Sequence, residues 1–139
     1  MQDRHTGDAA RELCLSFPEV EEVVSHGQSN FRVGGKAFAS YSLNHHGDGH
    51  VALLLRAPPG AQQLYTEMEP DHYYVPAYVG SKGWLGMDLQ SGLAWRTIGV
   101  RVWEAWREVA PPVLVASLDG PPKVAAPRRK LRREEIDPF

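Results

Sequence analysis

At 139 residues with a single cysteine, Cys14, the chain is long enough to bury one core unaided and cannot form an intrachain disulfide. Net charge is −2, yet residues 1–120 carry nine basic against fourteen acidic groups and residues 121–139 six against three, so the body has the wrong overall sign for a domain that binds mainly by neutralising phosphates. The polar opening MQDRHTGDAARE lacks an apolar signal core and the longest aliphatic run, VALLL, is far short of a bilayer span, which predicts a soluble, cytoplasmic protein with no membrane partner.

Asp8 is the expected N-cap of a first helix of roughly two turns, with Ala9, Leu13 and Phe17 on one face, Cys14 beside them, and Pro18 as its stop. From Val20 to Leu55 the texture changes to EEVVSH, SNFRV, KAFASYSL and HVALLLR, short β-rich runs separated by glycine-containing breaks, which reads as an antiparallel meander. VALLL is apolar on both parities and is expected mid-sheet with both faces covered. After Pro58-Pro59-Gly60, AQQLYTEME offers a short helix, and HYYVPAYVGSKGWLGMDL reads as two strands around a Gly-Ser-Lys-Gly turn. In AWRTIGVRVWEAWREVA, residues Trp95, Ile98, Val102, Trp106 and Val109 recur at spacings of three and four, an amphipathic helix in which Gly99 would allow close approach to the sheet. VLVASL fits either a strand or a helical turn. From Gly120 onward, proline and charge dominate, and residues 121–139 are expected to be a disordered basic tail on a single domain of residues 1–120.

Val33-Gly34-Gly35-Lys36 fits a two-residue hairpin whose central positions need positive φ. That turn pairs Val33 with Lys36, Phe31 with Phe38 and Arg32 with Ala37. A phosphate loop would lead into a helix N-terminus; the run that follows is strand-like, so the glycines are structural while Arg32 and Lys36 decorate a protruding hairpin. In an extended YVGSKGWLGMDL, Leu85, Met87 and Leu89 share one face and Trp84 and Asp88 the other. Trp84 is then either core beneath a helix or, with Tyr78 and Lys82, part of a pocket or stacking platform. His45, His46, Asp48 and His50 crowd one turn; Gly47 and Gly49 make it flexible and deny it a rigid coordination shell, so it is expected to be solvent-exposed and metal-free. Cys14 belongs to a core helix face, no glycine-flanked nucleophilic serine occurs, and His26 is the only histidine worth testing as an acid or base. PRRKLRREE groups Arg128, Arg129, Lys130, Arg132 and Arg133, which either meet a polyanion or pair with the acidic body.

Taken in order, LCLSFPEVEE, HGQSNFRVGGKAFA, YVPAYVGSKGWLGMDL and a tryptophan-rich helix ending REVAPP resemble the MmcQ/YjbR family over residues 9–118. His26-Gly27, Phe31, the Val33-to-Lys36 turn, Phe38-Ala39, residues 76–78, Lys82 and Trp84 fall where that family's pattern has them. The resemblance implies an α+β fold of the CyaY-like type, an antiparallel sheet with helices packed on it, and the family's usual description as a DNA-binding protein whose hairpins act as wings. No cofactor is expected; frataxin-like iron binding would need an acidic ridge, at which only Glu19, Glu21 and Glu22 hint.

The expectation is therefore a non-enzymatic protein that binds DNA, with Arg32, Lys36 and the tail residues Arg128, Arg129 and Lys130 meeting phosphates and Lys82 and Trp84 giving a second surface. The alternative is a small-ligand or protein-interaction module with a site around His26, Tyr78, Lys82 and Trp84.

Overall fold

A computed structural model describes residues 3–138; residues 1, 2 and 139, the outer limits of the expected domain and tail, lie outside the described residues. The β-rich runs form one antiparallel sheet in the order β1-β2-β3-β4-β6-β5. Its strands are β1 (Glu21–Ser25), β2 (Gln28–Val33), β3 (Lys36–Leu43), β4 (Val51–Leu55), β5 (Tyr73–Tyr74) and β6 (Leu85–Asp88). Helices α1 (Thr6–Leu15), α2 (Ala61–Met68) and α3 (Trp95–Arg107) pack on it, followed by the short turns α4 (Pro112–Val115) and α5 (Arg133–Ile136). The fold is α+β, as expected, and no helix among the described residues is long and apolar enough to cross a membrane.

The Gly34-Gly35 corner is an ordinary hairpin turn, with φ of 57° and 80°, the mirror-image conformation that matches strand twist. Val33 faces Lys36 and Arg32 faces Ala37 as the turn requires, but Phe31 faces Ala39 rather than Phe38. Phe38 is the extra residue of a β-bulge. The insertion lets two successive residues, Phe38 and Ala39, both be buried against the core, which strict alternation would forbid. VALLL is central, between β3 and β6, and buried along its whole length.

The face of the sheet carrying Phe31, Val33, Leu53, Leu55, Leu85 and Met87 packs into one core with Leu13, Phe17, Val102 and Trp106 of the helix layer. Trp106 is fully buried and its indole N–H donates to the Pro18 carbonyl at 3.2 Å. At the β5 edge the Tyr65 ring of α2 meets Tyr73, whose hydroxyl accepts from Arg101 of α3 at 3.1 Å.

Three local expectations change, and one open alternative resolves. The N-cap of α1 is His5, whose Nδ1 accepts from the Gly7 and Asp8 amides, while the Asp8 carboxylate closes the capping box on the His5 N–H. The expected hairpin after Tyr74 is instead a long excursion through a 3₁₀ turn at Val79–Lys82, because Pro76 has no N–H to continue a ladder. Gly99 brings α3 close to the C-terminal segment, not the sheet: a Cβ there would lie 3.4 Å from Pro121. VLVASL begins with the helical turn α4.

The segment expected to be a disordered tail lies along the body. Arg128 N–H donates to the Arg4 carbonyl at 2.8 Å, His5 and Arg129 form a parallel bridge, and Leu131 is buried in the core. The Gln90 side chain brackets Leu131, accepting from its N–H at 2.6 Å and donating to its carbonyl at 3.3 Å.

Candidate functional site

Strand pairing dictates what the opposite face of the sheet displays. Ser42 stands beside Ala52 and Ala52 beside Asp88, while Ser40 stands beside Leu54 and Leu54 beside Gly86. Cross-strand partners share a face, so small and polar residues fill this surface where the other holds the apolar core. Tyr74 pairs with Gly86, and its ring lies over that glycine so closely that a Cβ would be 2.6 Å from it.

The ring then stacks on His50, centroids 4.0 Å apart and planes 7° apart. His50 is held on three sides: by that stack, by Asp88 Oδ2 at 3.1 Å from Nδ1, and by its backbone N–H donating to Asp48 Oδ1 at 2.9 Å. Asp88 is itself oriented by the Gln90 N–H, 2.8 Å from its Oδ1. A carboxylate accepts, so the ring hydrogen toward Asp88 sits on Nδ1, and in the neutral form of the imidazole Nε2 presents a lone pair.

Beside this pair opens a cavity of about 270 Å³, lined by Ser42, His50 and Tyr74 on the polar side and by Leu54, Val75 and Pro76 on the apolar side. Burial first, then the carboxylates of Asp48 and Asp88, push the Tyr74 phenol well above the usual tyrosine range, so it remains a neutral O–H. Both that hydroxyl and the Ser40 hydroxyl are buried without a protein partner.

The rim is built from unusual backbone. Asn44 and His46 are left-handed, at φ 49° and 54°, and Tyr78 sits at φ 63°, ψ −72° with the Val79 N–H donating back to Ala77 at 2.7 Å. That is a γ-turn of the rare, strained hand. Tyr78 is largely exposed, and its hydroxyl lies 3.4 Å from His46 Nε2. Among the described residues no three His, Cys, Asp or Glu side chains gather as a metal ion would require.

A second feature lies at the β2–β3 end of the sheet. Arg56 Nε donates to the Ala37 carbonyl at 2.7 Å, Ala37 pairs with Arg32, and Lys36 is its chain neighbour, so three basic residues lie at this end of the sheet, with Lys36 on the face of its partner Val33 and Arg32 on the other. The Arg56 guanidinium also stands 5.5 Å from the Trp84 ring centroid, within cation–π range, and Lys82 is exposed two residues earlier. None of the four makes an ion pair among the described residues, although Glu21 stands across the ladder from Arg32. Trp84 itself is only 8% exposed, so its ring offers no open platform for stacking.

The tail cations lie elsewhere and are partly engaged. Arg129 holds Glu135 through two parallel hydrogen bonds of 2.7 and 3.0 Å and Asp3 at 2.8 Å, and Lys130 donates to the Gln90 carbonyl. Arg128 is exposed. His26 occupies the exposed β1–β2 turn at φ 52°, where its backbone serves the hairpin. Cys14 is buried and burial pushes its thiol far up.

Sequence reasoning placed Asp88 on the right face but missed its partner, because His50 lies 38 residues away in a turn that looked merely solvated. The available signal was a carboxylate and a glycine alternating within an otherwise apolar strand, LGMD.

A family model described as YjbR matches residues 15–108. The crystal structure of Deinococcus radiodurans protein DR2400, which carries a DUF419 domain, superposes with a TM-score of 0.65 at 15% identity, covering 88% of this chain and 98% of that one. At that identity the likeness speaks to fold. No curated protein matches the sequence.

Proposed function

The chain belongs to the YjbR family, and from that premise we propose that it is a non-enzymatic cytoplasmic protein that binds DNA at the β2–β3 end of its sheet. The observation that supports this reading is the placement of Arg32, Lys36 and Arg56 at one end of the sheet, with Lys82 exposed beside Trp84 and no ion pair on any of the four among the described residues. Cations held on rigid strands without carboxylate partners are available to phosphates at little ordering cost. The acidic balance of residues 1–120 confines the attraction to this end, so binding is weak, non-specific and strongly salt-dependent. The tail contributes less than its charge suggests, because Arg129 is already committed to Asp3 and Glu135. A binding role without catalysis accords with a lone cysteine buried and held in its thiol form.

The test is fluorescence anisotropy of a labelled duplex at low salt. Binding should be lost when Lys36→Ala and Arg56→Ala are combined. No anisotropy change up to about 100 μM protein, the weak end of non-specific affinity, would reject the reading.

A further inference from the structure

We propose that the cavity between the His50–Asp88 pair and the 75–77 segment is a binding site for a neutral, ring-sized heteroaromatic ligand with adjacent hydrogen-bond donors and acceptors, the chemistry of a nucleobase edge. The site is separate from the basic end. Trp84, which immediately precedes β6, marks the Arg56 end and Asp88, the last residue of β6, the His50 end, four residues or about 13 Å apart.

Size sets the first limit. A cavity of about 270 Å³ is at the small end of ligand pockets and admits a single ring system, not an extended chain. Charge sets the second. No Lys or Arg lines the cavity, whereas Asp48 does and Asp88 stands directly behind His50. A phosphate or carboxylate would meet these carboxylates with only the imidazoles of His45, His46 and His50 to set against them, which favours a ligand uncharged at its buried end.

Hydrogen-bonding capacity sets the third. Asp88 fixes His50 with Nδ1 as donor, leaving Nε2 to accept from a ligand N–H. Ser42, which lines the cavity, carries a hydroxyl able to donate and to accept, whereas the unpartnered hydroxyls of Ser40 and Tyr74 are closed off from it. Apolar contact from Leu54, Val75 and Pro76 covers the ring's non-polar surface. Gly86 is required for the whole arrangement, since only a missing side chain lets the Tyr74 ring lie across β6 and reach His50.

The base could be free or carried on a single strand, and the experiment separates the two. Backbone amide shifts are followed by NMR while uridine, cytidine and adenosine are added to about 10 mM, enough to occupy most of a site with a millimolar Kd; an oligothymidine strand is titrated in parallel. Shifts clustered at Ser42, His50, Tyr74 and Asp88 with a nucleoside assign a free-base site, and the same shifts with the strand alone assign a strand-borne base. Affinity should fall tenfold or more in His50→Ala, whose amide dispersion and unfolding midpoint report that it is folded, and likewise in Gly86→Ala. The proposal is overturned if neither probe moves these residues, or if the shifts persist unchanged in His50→Ala. Nucleosides carry no phosphate, so a negative duplex result and a negative nucleoside result are independent.

Discussion

Gly86 and Tyr74 form a matched pair: the absent side chain of the first is the space occupied by the aromatic ring of the second, 2.6 Å from where a Cβ would be. Through that ring, a residue with no functional group of its own sets the position of His50.

Gly86→Ala should therefore act twice. Overpacking a buried position costs about 1–3 kcal/mol, and displacing the ring breaks the stack on His50. Chemical denaturation gives the first effect. The second is read from the His50 ring proton shifts, which should move toward the values of an unstacked imidazole; unchanged shifts would mean that the ring is not held by this contact.

The clasp between the N- and C-terminal segments should be acid-labile in a defined window. The Arg129 guanidinium, helped by the Arg132 backbone N–H, holds the Glu135 carboxyl at about 2, below its value of about 4.3 in an unfolded chain. A lowered folded pKa means stabilisation that is complete above the unfolded value and lost as pH falls through the folded one. Protection of the Arg128 and Leu131 amides, with exchange rates corrected for their intrinsic pH dependence, should fall between about pH 4.5 and 2, ahead of β4, and Glu135→Gln should remove most of that dependence, leaving the share of Asp3, whose carboxyl the same guanidinium also holds low.

Trp106 gives a measure of the core. Its indole N–H satisfies the Pro18 carbonyl 88 residues away. Trp106→Phe should cost about 1–3 kcal/mol, chiefly from the orphaned carbonyl, and Trp106→Ala about 3–5 kcal/mol by adding a cavity. Urea unfolding separates the two, and a negligible loss in Trp106→Phe would show that the hydrogen bond contributes little.

Salt dependence distinguishes the two basic regions. For the proposed DNA contacts, Lys36→Ala and Arg56→Ala should each lower the slope of log K against log salt by about one. Arg129→Ala should leave the slope unchanged while loosening the clasp, because its charge is already paired; a reduced slope in that variant would return the tail to the binding surface.

The parts of this molecule legible from sequence are those governed by local period and turn chemistry. Alternation in the β-rich runs, the glycine pair at the hairpin corner, the uninterrupted VALLL strand and the Trp95-to-Trp106 stripe each correspond to the element they imply. What was not legible depends on partners distant in the chain. The bulge at Phe38 answers to the core volume on one side of β3, which no local pattern encodes. The 121–138 segment is proline-rich and charged, yet partners distant in the chain seat it: Gln90 around Leu131, Trp95 on the Val124 carbonyl, and Arg4 on the carbonyl of Ala125. His50 and Asp88 each look like a solvated side chain until β4 and β6 pair and set them side by side.

The clasp also has a mechanical consequence. Arg4 and His5 run parallel to Arg128 and Arg129, so tension applied at opposite ends of the chain slides the two segments past each other and loads their hydrogen bonds together instead of peeling them one by one. Stretched in an optical trap, the protein should give a distinct early rupture that Arg129→Ala weakens, with the sheet yielding only afterwards.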